Sequence, residues 1–269
     1  MKEPFVRKNG QLWLLEWMDK YSISAGFTTS GVKDATALQG LNIAYHVGDQ
    51  PDRVYHNREI LANLVGIPVI NWVFAQQLHT INIQKVTRNH QGAGSKSFDS
   101  GIPATDGLYT FEKGLPLATF YADCTPLYFL APKYGLIGVA HAGWQGTVKG
   151  MMTQMLKTLK TIEGIPAQDI FIAIGPAIGM DAYRVDDKVI DHVKKSTVPG
   201  AETTYVDLGG GQYKFSPKQL NVLQALDEGV PKDNIIVSSY CTYTDSDLFY
   251  SHRRNPKSGR MMAWISMFP

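Results

Sequence analysis

The 269-residue chain has only two cysteines, Cys124 and Cys241. That is too few for a disulfide framework, and no Cys-x-x-Cys knuckle of a structural zinc site can be built from them. No apolar stretch approaches the roughly 18 residues of a membrane span. The longest candidate, 115–131, is broken by Asp123, Pro116 and Pro126. The opening residues Met1-Lys2-Glu3-Pro4-Phe5 lack the apolar core of a secretory signal, so a reducing, cytoplasmic setting is expected. Charge of one sign is lacking too: 26 basic side chains face 24 acidic ones, for a net +2. Without a clustered basic stripe, nucleic acid is not an expected partner. There is no Walker loop, no Gly-x-Gly-x-x-Gly, no internal repeat and no low-complexity linker.

What remains is an ordinary globular composition, 44% hydrophobic and 19% charged, long enough to bury a substantial core. Residues 11–29 read as an opening hairpin punctuated by Gly26. Helical spacing of Val54, Ile60, Leu61 and Leu64 predicts a helix over 52–64, closed by Gly66 and Pro68. The polar, glycine-rich stretch 90–101 reads as a mobile surface loop. Beyond Asp106, strands are expected at 115–121, 127–131, 135–140, 169–174, 203–207 and 235–237. Helices are expected over 146–163, from about Asp186, and from Ser216-Pro217 to 227 or 228, where serine is a natural cap and proline a natural first residue. Strands and helices do not alternate strictly, which predicts one α+β domain over 1–269.

Three segments each offer one borderline metal ligand where an apolar run (69–74, 115–121, 135–140) should end: Gln77-Leu78-His79, Asp123-Cys124-Thr125-Pro126, and His141-Ala142-Gly143-Trp144. Two imidazoles and one thiolate suit zinc, and three protein ligands leave a position open, as in catalytic sites. The plainer alternative is a buried thiol acting as a small hydrophobe beside two hydrogen-bonded histidines. The stretches 141–147 and 174–179 both run from a strand into a glycine turn, a shape that presents backbone N–H groups to an anion or serves simply as a turn. His252, Arg253, Arg254, Lys257 and Arg260 form a basic cluster that gains interest only if the fold carries it to the metal ligands.

Taken together, Leu41-Asn42, His46-Val47-Gly48-Asp49, Asn57-Arg58, Gln77-Leu78-His79, Thr105-Asp106-Gly107-Leu108, Ala122-Asp123-Cys124-Thr125-Pro126, His141-Ala142-Gly143-Trp144, Ile174-Gly175-Pro176-Ala177-Ile178-Gly179, Cys241-Thr242 and Arg253-Arg254 resemble the YfiH/YlmD family. That family was first labelled multicopper polyphenol oxidase (laccase) and later purine nucleoside phosphorylase. The resemblance runs from about residue 25 to the C-terminus. It implies mixed β-sheets packed back to back with helices outside, and a metal, usually zinc, at His79, Cys124 and His141. It also implies phosphorolysis of adenosine, inosine, guanosine and S-methyl-5′-thioadenosine, with adenosine deamination as a further activity. Purine nucleosides and phosphate are then the expected partners, in a monomer or homodimer. The chain departs from the pattern at Gln145, where arginine is frequent, and at Thr80, where glycine is.

Within this reading Cys124 and Asp123 are the expected catalytic residues, Asp123 as proton carrier, although its carboxylate equally suits a turn cap. Asn42 and Arg58 are the expected substrate contacts, and Trp144 is a stacking surface or a core residue. A copper-dependent polyphenol oxidase is the alternative, since His₂Cys suits copper. However, the seven histidines (46, 56, 79, 90, 141, 192, 252) form no His-x-His pair for a trinuclear centre. A metal-free cysteine hydrolase with Cys124 as nucleophile would use the same atoms.

Overall fold

The computed structural model describes residues 2–35 and 37–268; Met1, Thr36 and Pro269 of the expected 1–269 span lie outside the described residues. The chain opens with β1 (Val6–Lys8), β2 (Gln11–Trp13), α1 (Leu15–Lys20), β3 (Ile23–Phe27), α2 (Pro51–Val65), β4 (Val73–Phe74) and β5 (Ile83–Lys85). The middle follows as β6 (Gly107–Thr110), β7 (Leu117–Tyr121), β8 (Thr125–Ala131), β9 (Leu136–Ala142), α3 (Trp144–Val148), α4 (Met151–Thr161) and β10 (Phe171–Ile174). The last part comprises β11 (Arg184–Asp186), α5 (Asp187–Lys194), β12 (Tyr205–Gly209), β13 (Gln212–Phe215), α6 (Pro217–Asp227), β14 (Ile235–Val237) and β15 (Met261–Met267).

Two six-stranded sheets form the body, ordered β1-β2-β3-β15-β7-β4 and β14-β10-β8-β9-β6-β5. Both are mixed: β4–β7, β5–β6 and β10–β14 run parallel, the other pairs antiparallel. Phe27, Leu117, Tyr121 and Ile265 of the first sheet share one core with Tyr128, Leu130, Ile137 and Val139 of the second. The sheets therefore pack back to back. Outside the second sheet, Leu127, Phe129 and Ala140 meet Met151, Met155 and Leu159 of α4 and Ala225 of α6. Outside the first, Ala118, Phe120 and Trp264 meet Leu61, Ala62 and Val65 of α2. Strands covered on both faces have no polar side to show, which is why β7, β8, β9 and β15 are buried along their whole lengths. The α+β layering expected from the sequence is the observed one.

The details differ where short runs are ambiguous. The hairpin expected over 11–29 forms, with Leu12 opposite Phe27, but it carries α1 between its strands, and Gly26 lies inside β3 instead of punctuating it. Gly26 is required there, because a Cβ would lie 2.4 Å from the Leu12 carbonyl and from the Trp264 ring. The apolar run 69–74 is a 3₁₀ turn followed by only two strand residues. The expected 146–163 helix is two helices, parted at Gly150 in the left-handed region. The stretch 90–101 is no free loop: Gly94 and Ser95 are buried, with carbonyls held by Arg58. A small third sheet, β11-β13-β12, is largely unanticipated; with α5 it closes its own core around Val185, Ile190, Tyr213 and Phe215. Among the described residues no helix is long and apolar enough to cross a membrane.

Candidate metal centre and its cavity

Two of the three expected ligands lie where the chain crosses between the large sheets. His79 follows β4 of the first sheet and precedes β5 of the second; Cys124 is the link from β7 to β8. His141 sits near the end of β9 and extends its inward row of Ile137 and Val139. The ligand atoms of all three lie within 4.8 Å of one another. The imidazoles meet edge to face with centroids 4.9 Å apart. His79 is exposed, Cys124 half-buried and His141 buried, so one side of the group opens outward. His79 and Asp123 both carry left-handed backbone, φ 59° and 82°. A non-glycine residue held there marks a constrained segment.

The charges are mutually adjusted. Burial pushes the Cys124 thiol up, but the His141 imidazole and a hydrogen bond from His79 outweigh it and hold the thiol down at about 6. Burial disfavours the charged His141 imidazole, yet Cys124 and Asp106 raise it to about 9. The Asp106 carboxylate is buried and lies 2.8 Å from His141 Nδ1. It also accepts from the backbone N–H groups of Leu78, His79 and Thr80 and from the Thr80 hydroxyl. Sequence reasoning noted Asp106 only as part of a motif. The available signal was a carboxylate directly ahead of a buried strand.

A cavity of about 590 Å³ adjoins the group. The body supplies His79, Cys124, Trp144 and Gln145 to its wall; the small third sheet supplies Arg184, Asp186 and Gln212; His252 and Arg253 come from the C-terminal segment. Trp144 is half-buried on this wall, 6.3 Å from the His192 ring. The Arg253 guanidinium lies 4.9 Å from the centre of the Tyr183 ring and donates to the Arg184 carbonyl. Part of the basic cluster thus lines the same cavity as two of the candidate ligands, His79 and Cys124. Arg254 does not: its guanidinium caps the carbonyls of Thr242, Tyr243 and Phe249.

Three further expected site residues are held by hydrogen bonds of their own. The Asp123 carboxylate accepts from Thr242, Ser251 and the Arg253 backbone at 2.7–3.0 Å, so it ties the β7–β8 crossing to the C-terminal segment while the residue lines the cavity beside Cys124. Asn42 is fully buried, accepting from the Arg260 and Ala44 N–H groups and donating to Asp49. Arg58 is buried among Tyr45, Phe74 and Phe120 and donates to the carbonyls of Ile43, Gly94 and Ser95. Neither lines the cavity: Arg58 is engaged by backbone carbonyls, and Asn42 by backbone groups and the Asp49 carboxylate.

Comparison with known proteins agrees over nearly the full length. Residues 24–268 match a family model described as multi-copper polyphenol oxidoreductase laccase. A relative from Geobacillus stearothermophilus, named purine nucleoside phosphorylase YlmD, is 43% identical over 90% of this chain and 89% of its own. One of the same name from Bacillus subtilis is 40% identical over 96% and 93%. The crystal structure of YlmD from Geobacillus stearothermophilus superposes with a TM-score of 0.95 over the whole of both chains at 39% identity. That of the Bacillus licheniformis hypothetical protein YfiH gives 0.95 over 99% and 100% at 37%. On these matches the chain belongs to the YfiH/YlmD family, whose model carries the polyphenol oxidoreductase description.

Proposed function

We propose that this protein is a zinc-dependent purine nucleoside phosphorylase acting on adenosine, inosine, guanosine and S-methyl-5′-thioadenosine, with adenosine deamination as a second activity. The observation that carries the reading is the convergence of His79, Cys124 and His141 beside a cavity with aromatic and cationic walls. The relatives named purine nucleoside phosphorylase support it. Two imidazoles and a thiolate are a donor set that zinc accepts, and the 4.8 Å limit on their spacing lets them share one ion after a small contraction. When bound there, zinc supplies Lewis-acid polarisation at its open position.

The chain's own residues do the positioning. Phosphorolysis breaks the bond from the sugar's anomeric carbon to the purine nitrogen and forms one to a phosphate oxygen; the departing purine takes up a proton. His252, Arg253 and the Gln145 amide face the cavity and suit the phosphate, whose charge must be held near the anomeric carbon. Trp144 and Tyr183 offer flat surfaces to the purine. The third sheet and the C-terminal segment supply part of the cavity wall.

The test is metal analysis and a phosphate-dependent inosine assay on one preparation. The expected result is stoichiometric zinc with hypoxanthine released only when phosphate is present. Release without phosphate overturns the phosphorylase assignment. A metal-free cysteine nucleophile is the second reading, favoured by the low thiol pKa beside His141. It predicts rapid iodoacetamide capture of Cys124 in active protein, which bound zinc would prevent.

A further inference from the structure

Five hydrogen-bond donors converge on the two oxygens of one buried carboxylate. Oδ1 of Asp106 faces the His79 N–H at 3.2 Å and His141 Nδ1 at 2.8 Å. Oδ2 faces the N–H of Leu78 at 3.2 Å, the N–H of Thr80 at 2.8 Å and the Thr80 hydroxyl at 2.8 Å. Asp106 is 0% exposed, so no water substitutes for a missing partner. The segment 78–80 has no strand or helix of its own, and its central residue holds φ 59°. Such a conformation persists only where its surroundings over-determine it. Here the carboxylate gathers three consecutive N–H groups.

We propose that Asp106 is the positioning residue of the metal centre, a single anchor that fixes two of the three ligands at once, His79 through its backbone and His141 through its ring. An acceptor-only group at Nδ1 requires that nitrogen to carry a proton and leaves the Nε2 lone pair for the ion. The same group folds the 78–80 turn so that the His79 ring meets His141 edge to face. Only an ionised carboxylate of this length satisfies the pattern. Asparagine would turn its NH₂ either toward His141 and the His79 N–H, or toward the three donors around Oδ2. The first choice inverts the His141 tautomer; the second releases the turn. The Thr80 hydroxyl adds the fifth donor.

The inference rests on the metal reading of the site, and its experiment separates the two. Zinc affinity is measured by chelator competition for the unaltered protein, Asp106→Asn and Thr80→Val. The expected result is a 10- to 100-fold loss for Asp106→Asn. Thr80→Val, which removes one donor and leaves the tautomer intact, should stay close to the unaltered protein. Unchanged affinity in folded Asp106→Asn overturns the proposal. Should that variant fail to fold, the histidine ¹⁵N spectrum of the zinc-loaded unaltered protein decides. Zinc on Nε2 of His141 with a proton on Nδ1 is expected, and zinc on Nδ1 overturns it. Failure of the unaltered protein to bind zinc defeats the metal reading itself, and this inference with it.

Discussion

At the scale of single residues, the space around the ligands is as informative as the ligands. A Cβ at Gly143 would stand 2.8 Å from the His79 ring and 3.1 Å from the Cys124 sulfur. Its φ of −66° is open to any residue, so the clash alone excludes a side chain. Gly143→Ala is therefore expected to lose zinc and phosphorolysis together while its thermal midpoint moves by only a few degrees; retained stoichiometric zinc would refute this. Cys124→Ala should likewise abolish metal content and activity, with its fold intact by circular dichroism. The grouping of His79, Cys124 and His141 was legible because histidine and cysteine at three strand ends suggest a shared centre on chemical grounds. Asp106 was not, since its five partners are mostly backbone groups remote in sequence.

At the scale of elements, one carboxylate ties three of them together. Glu163, just beyond α4, accepts from Tyr109 of β6 at 2.7 Å and from Lys85 of β5 at 3.0 Å. Burial works against the Glu163 charge, but the Tyr109 hydroxyl and the Lys85 ammonium outweigh it and keep the carboxyl below its usual value. A carboxyl lowered on folding contributes stability that is full above its unfolded value, near 4.3, and fades as acid titrates the folded form. Glu163→Gln should cost roughly 1–2 kcal/mol at pH 7 in urea titrations, and the gap should narrow as pH falls toward 3. A gap independent of pH would contradict the assignment. Helices and strands with strong local signals were readable: Ser216 caps α6 through its hydroxyl, and β14 spans the expected 235–237. The short run 69–74 misled because an apolar stretch of that length does not separate strand from turn. β13 went unseen because its polar residues face outward on a three-stranded sheet.

At the scale of the molecule, Arg58 bolts the outer layer to the first sheet. It rises from α2, stacks on Phe74 and Phe120 and fastens the 94–95 backbone. Burial lowers its guanidinium to about 9, so it remains charged at neutral pH. Arg58→Ala leaves a void and unpaired carbonyls, and should lose roughly 3 kcal/mol of global stability with zinc content unchanged in the folded fraction. If instead stability holds and only the inosine KM rises, Arg58 touches substrate after all. The α+β class was readable from strands and helices that do not alternate strictly, and the back-to-back layering only from the family resemblance. Strand order was not, because periodicity carries no information about which distant strand becomes a neighbour.

The strand order has a temporal corollary. β15 lies in the middle of the first sheet, with Ala263 opposite Phe27 on one side and Thr119 on the other. A ribosome must release the residues up to Met267 before β3 and β7 acquire the partner that unites them. Until then the Cys124 crossing hangs from an open sheet edge, and edge-exposed intermediates of this kind are what chaperones hold. The candidate ligands, all made by residue 141, thus wait on a strand that emerges only at Met261–Met267.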